Sequence, residues 1–102
     1  MGSTPWFLES MAAGGSRVTH RVDRLPFSVG RDVGNDLTIE GAGLSRRHAE
    51  LQADASGGLL LVDLGSTNGT FVEGHRITSQ RLADGDRVTV GRTSFAFRLG
   101  RG

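Results

Sequence analysis

Apolar positions along the chain come in short runs, and no stretch of ten residues free of glycine sustains a helical period. Alternation is clearest in Arg17-Val18-Thr19-His20-Arg21-Val22 and in Phe95-Ala96-Phe97-Arg98-Leu99, where every second side chain falls on one face of an extended strand. On these grounds strands are predicted at residues 6–11, 17–22, 27–30, 37–39, 48–53, 59–64, 70–72, 87–90 and 94–99. The unbroken run Leu59-Leu60-Leu61-Val62 predicts a central strand covered on both faces. Turn chemistry lies between the runs. Ala12-Ala13-Gly14-Gly15 is expected to close a first hairpin, and Ser56-Gly57-Gly58, Asn68-Gly69 and Asp84-Gly85-Asp86 to mark three more turns, Asn68-Gly69 with a hairpin-turn signal. Short, closely spaced strands without a crossover helix imply an antiparallel sandwich or barrel.

Composition narrows the chemistry more than the fold. The 102 residues suit one domain, and 36% hydrophobic residues suffice for a core. Residues 1–4 read as a flexible N-terminus or a cloning remnant, 5–99 as the domain and 100–102 as a flexible C-terminus. With no cysteine there is no disulfide framework, Cys-based zinc site or thiol nucleophile. His20, His48 and His75 lack metal-ligand spacing, so neither a metal nor a cofactor is expected. No apolar run approaches the roughly 18–20 residues of a membrane span, and the start is not signal-like, so a cytoplasmic protein without membrane contact is expected. All 12 basic residues are arginine, yet the net charge is only +1. Bulk charge therefore does not drive nucleic-acid binding, and any bound anion must be held by local placement.

Three polar segments flank predicted strands and can meet at one end of a sandwich: Gly30-Arg31, Ser45-Arg46-Arg47-His48 and Gly65-Ser66-Thr67-Asn68-Gly69-Thr70. Arg31 offers a planar fork of donors suited to phosphate, and Ser45 and Thr67 offer hydroxyls. Asn68 carries both a donor and an acceptor, which suits the main chain of an extended peptide. Gly30, Gly65 and Gly69 are expected to let backbone approach a ligand closely. Competing readings are weaker. Residues 65–70 lack the lysine and helix of a phosphate loop, and a hydrolase built on Ser45 and His48 has no orienting acid. Asp63, Asp84 and Asp86 read as strand-end and turn residues.

In this order, Gly30-Arg31, Ser45-Arg46-Arg47-His48-Ala49, Asp63-Leu64-Gly65-Ser66-Thr67-Asn68-Gly69-Thr70, Leu82-x-Asp84-Gly85-Asp86 and Gly91 closely resemble the forkhead-associated (FHA) domain over residues 17–99. The resemblance implies an all-β, eleven-strand antiparallel β-sandwich of SMAD/FHA type that binds phosphothreonine peptides through loops at one end. It implies phosphopeptide contacts from Arg31, Ser45, Arg46, Thr67 and Asn68, with Gly30, His48 and Gly69 supporting them and no catalytic residue. Many members have Asn where this chain has Glu73. Partner selectivity is expected from residues 40–44 and 73–80, with Arg47 and Arg76 favouring an acidic residue. A monomeric signalling module within a larger protein is the implied setting. The alternative is a phosphate-independent assembly module on the same fold, which a phosphorylated and dephosphorylated peptide pair distinguishes.

Overall fold

Eleven strands and no helix make up the computed structural model, which describes residues 6–11 and 15–99. They are β1 (Trp6–Met11), β2 (Arg17–Val22), β3 (Phe27–Gly30), β4 (Leu37–Thr38), β5 (Ala49–Ala53), β6 (Leu59–Asp63), β7 (Thr70–Val72), β8 (His75–Ile77), β9 (Ser79–Arg81), β10 (Arg87–Val90) and β11 (Thr93–Leu99). A six-stranded sheet in the order β2-β1-β11-β10-β7-β8 packs on a five-stranded sheet in the order β4-β3-β5-β6-β9. Every pair whose register is described is antiparallel except β3–β4, which is parallel through Val29–Leu37 and Gly30–Thr38. β1 and β2 pair from Trp6–Val22 to Met11–Arg17. The expected turn between them falls on residues 12–14, outside the described residues, as do the two expected flexible ends.

Alternation places one face of each sheet in the core. Leu8, Val72, Val88, Val90, Phe95 and Phe97 face Val29, Leu51, Leu59 and Leu61 across the interface, all buried. Phe97 has no exposed surface, and Trp6 stacks on it at 5.4 Å between centroids and 20° between planes. The run at 59–62 is covered on one face only. Leu59 and Leu61 enter the core, whereas Leu60 and Val62 lie half-buried on the outer face. Their cross-strand neighbours there are Gln52 and Arg81 for Leu60, and Glu50 and Ser79 for Val62, and the long stems of Gln52, Arg81 and Glu50 can cover apolar surface. β6 is second from the sheet edge rather than central.

Asn68-Gly69 does not close the hairpin its dipeptide signals, and Asp84-Gly85-Asp86 is a turn, as expected, on a crossing between sheets. The segment after β6, with Asn68-Gly69, crosses to the six-stranded sheet, and Asp84-Gly85-Asp86 crosses back to it from β9. Ser56-Gly57-Gly58 does join a hairpin, β5–β6. The tight two-residue hairpin is instead Glu73-Gly74 between β7 and β8, where Glu73 takes φ +50° and Gly74 φ +81°. A glutamate rarely adopts that conformation, so the turn and the two short polar strands after it leave little trace in the sequence. The Glu73 carboxylate accepts the Arg87 N–H at 2.6 Å, a bond that offsets the strain.

Phe97→Ala is expected to cost about 3–5 kcal/mol, because it opens a void under Trp6 in the middle of the six-stranded sheet. Denaturant unfolding measures this, and a loss below about 1 kcal/mol would contradict the packing described.

Candidate functional site

Why the crossing loops meet at one end follows from a few buried polar bonds. His48 closes the β4–β5 loop and has no exposed surface. Its Nδ1 accepts the Ser45 N–H at 3.1 Å, so Nε2 carries the hydrogen and donates to the Gly69 carbonyl at 2.8 Å. One imidazole thus ties the β4–β5 loop to the β6–β7 loop. Main-chain bonds support it on both sides, His48 N to Val29 O at 2.9 Å and Leu64 N to His48 O at 3.0 Å. Both ring nitrogens are occupied by backbone, so neither is available to activate the Ser45 hydroxyl.

The β6–β7 loop is wound around Asp63. Its Oδ1 accepts hydrogen bonds from Ser66 Oγ at 2.5 Å and Thr70 Oγ1 at 2.7 Å, and its Oδ2 accepts the Gly65 and Ser66 N–H groups at 3.1 and 3.2 Å. Ser66 Oγ in turn accepts the Gly69 N–H at 3.0 Å. Burial alone would raise the Asp63 pKa, but these four bonds outweigh it and hold the carboxyl below its ordinary value.

The β3–β4 loop is held against the β4–β5 loop just as closely. Arg31 N donates to Ser45 O at 3.1 Å and Asp32 N to Arg46 O at 3.2 Å. The buried Asn35 amide donates to Arg46 O at 2.7 Å and to Asp32 O at 2.8 Å. Gly30 serves this contact. A Cβ there would overlap the Arg46 carbonyl group, so the close approach that the sequence suggested for a ligand is made to the chain itself. Gly69 likewise meets a side chain, with a Cβ position 2.8 Å from Arg76 Nε and at φ +92°.

Between these loops lies a groove of about 540 Å³ lined by Arg31, residues 41–46, Thr67 and Asn68. The structure therefore brings together all five residues expected to contact a ligand. Arg31 is exposed, and its Nε donates to Leu44 O at 3.2 Å, which aims the guanidinium while leaving its terminal donors unused. Ser45 Oγ accepts the Thr67 N–H at 3.1 Å and keeps its own hydrogen to donate. Asn68 Nδ2 donates to Gly43 O at 3.0 Å, leaving Oδ1 and a second N–H. Neither Arg31 nor Arg46 makes an ion pair among the described residues, whereas Arg47 lies 3.8 Å from Glu50. A groove of equal volume beside β2 also carries Arg21 and Arg24, but its Arg24 is paired with Asp36 at 2.9 Å and Asp23 lies on the same wall. Of the segments expected to set selectivity, residues 41–44 line the binding groove, and from 73–80 Arg76 reaches the loop at Gly69.

Sequence reasoning passed over Asn35 and undervalued Asp63. The first is hidden in a Gly-Asn-Asp turn, while the Asp63-x-Gly65-Ser66 spacing of an Asx turn was a signal for the second.

Comparison with known proteins agrees with this geometry. The FHA domain family profile matches residues 27–91. The glycogen accumulation regulator GarA of Mycolicibacterium smegmatis is 37% identical over 79 residues, covering 78% of this chain and 49% of that protein. The chain thus spans about half the length of the curated relatives it first matches. Among solved structures, Mycobacterium tuberculosis EmbR in complex with a low-affinity phosphopeptide superposes with a TM-score of 0.86 at 28% identity, over 97% of this chain and 25% of that one. An FHA domain from a study of phosphothreonine-dependent FHA interactions gives 0.84 at 30% identity, over 97% and 100%.

His48→Ala removes partners from two buried backbone groups and should destabilise the fold by about 2–4 kcal/mol, read as a lower melting temperature. Because the Asp63 pKa is depressed in the folded chain, its contribution is complete above the unfolded value and is lost as pH falls below about 4. Asp63→Asn should flatten that acid dependence of stability; an unchanged slope would contradict the bonds described.

Proposed function

The chain belongs to the FHA domain family, and we propose that it is a phosphothreonine-dependent binding module, docking a partner phosphorylated by a Ser/Thr kinase, within a larger signalling protein. The observation that carries this reading is the unpaired Arg31 guanidinium, aimed by its Leu44 bond at a groove that also holds the Ser45 and Thr67 hydroxyls. A phosphothreonine brings about −1.5 to −2 charges and three acceptor oxygens, which match that donor set. Arg31 and Ser45 hold the phosphate, with Arg46 and Thr67 beside them, and Asn68 takes the peptide main chain. Each charge-assisted bond contributes on the order of 1.5–3 kcal/mol, and an unphosphorylated threonine leaves the same donors without partners. Discrimination against phosphoserine requires a pocket for one methyl group, worth about 0.8 kcal/mol.

The solved relatives support this reading through the phosphopeptide bound to EmbR and the phosphothreonine dependence studied for the second FHA domain. Binding without catalysis is supported by the family and by a His48 whose nitrogens are both engaged. No helix among the described residues is long and apolar enough to cross a membrane. We place the module in the cytoplasm, where the kinases that would write its ligand find ATP, and take it to act as a monomeric domain.

Arg31→Ala is expected to abolish measurable phosphopeptide binding in a calorimetric titration while the melting temperature stays unchanged. Asn68→Ala should weaken peptide binding and leave inorganic phosphate binding as it was. Unchanged affinity for a phosphothreonine peptide in Arg31→Ala would sink the assignment.

A further inference from the structure

The outer face of the six-stranded sheet lies outside the groove and gathers more positive charge than the chain has in net. Register sets Arg21, Phe7 and Arg98 side by side across β2, β1 and β11. Arg87 stands beside Ala96 in the next row, and Arg76 beside Phe71 at the β8 edge. Arg17 shares the face of Arg21 by strand alternation. The alternate residues Leu8, Val22, Phe97, Val88 and Val72 are buried, so these five arginines point away from the core, and all five are exposed. Glu9, 3.4 Å from Arg98, is the acid among them, and Glu73 sits at the margin with its carboxylate on the Arg87 N–H. Five arginines and Glu9 leave a net of +4 on this face, against +1 for the whole chain. The opposite sheet pairs the charges on its outer face, Arg47 with Glu50 and Arg81 with Asp54.

The strip is about 24 Å wide, five strand spacings of about 4.8 Å. It begins at the groove, because Arg76 lies across Gly69, next to Asn68. We propose that this face is a second docking surface for an acidic region of the same phosphorylated protein partner, engaged once its phosphothreonine is seated; the proposal rests on the groove reading given above. Charge complementarity selects an acidic surface, and continuity through Arg76 selects the molecule already held in the groove. Single-stranded nucleic acid fits less well. Phe7, between Arg21 and Arg98, and Phe71, between Arg76 and Thr89, are half-buried rather than free for base stacking, and Glu9 would face the phosphates.

The test compares a short phosphothreonine peptide with the same peptide joined through a flexible Gly/Ser linker to a Glu/Asp-rich segment. Both are titrated into the wild-type chain and into the Arg21→Glu/Arg87→Glu double variant, at about 0.05 M and about 0.5 M salt. The acidic segment should tighten binding to the wild type about tenfold at low salt, the yield of a few exposed ion pairs acting together. That gain should vanish at high salt and in the double variant, while the short peptide binds all forms alike. A gain below about twofold, or one that survives the double variant, overturns the proposal. So does an oligonucleotide or a phosphatidylserine vesicle that binds the same arginines more tightly than the acidic segment. If the short phosphopeptide itself fails to bind, the groove reading falls and this one with it; failure of the extension alone leaves the groove reading standing.

Discussion

The binding end of this sandwich depends on one fully buried imidazole that bonds to two loops at once. Phosphate recognition needs donors from distant parts of the chain held at fixed separations, and loops do not hold separations by themselves. His48 supplies the constraint by accepting from the Ser45 amide and donating to the Gly69 carbonyl. Those two backbone groups are the immediate neighbours of Arg46 and Asn68 in sequence, so the bond geometry passes directly to the groove walls. Asp63 performs the same service within the β6–β7 loop, and the Asn35 amide ties the β3–β4 loop to the β4–β5 loop. The polar residues that look most reactive in the sequence are therefore divided between two tasks. Buried ones fix the loops, and exposed ones are left with donors to spare.

That division explains how a chain of net charge +1 can present concentrated positive charge. Acids are placed where they stabilise loops or pair with surface arginines, as at Asp36 with Arg24 and Asp54 with Arg81. Among the described residues Arg31 and Arg46 make no ion pair at the groove, and of the five arginines on the outer sheet face Arg98 alone makes one. Total charge describes solubility and bulk attraction, whereas recognition depends on how the charge is distributed. The fold separates the two by sending alternate residues of each strand to opposite faces.

Most of the architecture was legible. All nine predicted runs are strands, with ends shifted by no more than one residue, because period-two patterns with β-branched and aromatic residues report directly on a half-buried sheet. The two strands not predicted, His75–Ile77 and Ser79–Arg81, are three residues each, largely polar and exposed, so they lack the apolar alternation that marks the others. The turn that would have announced them carries Glu73 at a positive φ. Asn68-Gly69 misled in the opposite sense, since the same dipeptide that favours hairpins here terminates a loop passing between sheets.

The donors, their order and the strands between them can be read from the chain directly, since side-chain chemistry and local periodicity are properties of short segments. What each glycine and each polar residue touches is set by the packed fold. Gly30 is needed for the Arg46 carbonyl rather than for a ligand, and Gly69 lies under Arg76. The five outward arginines, scattered from residue 17 to residue 98, form one surface because strand order places β2 and β8 at opposite edges of a single sheet. Contacts between residues far apart in the chain are set by pairing register and sheet order, and these arise from packing the whole core at once, which no local pattern encodes.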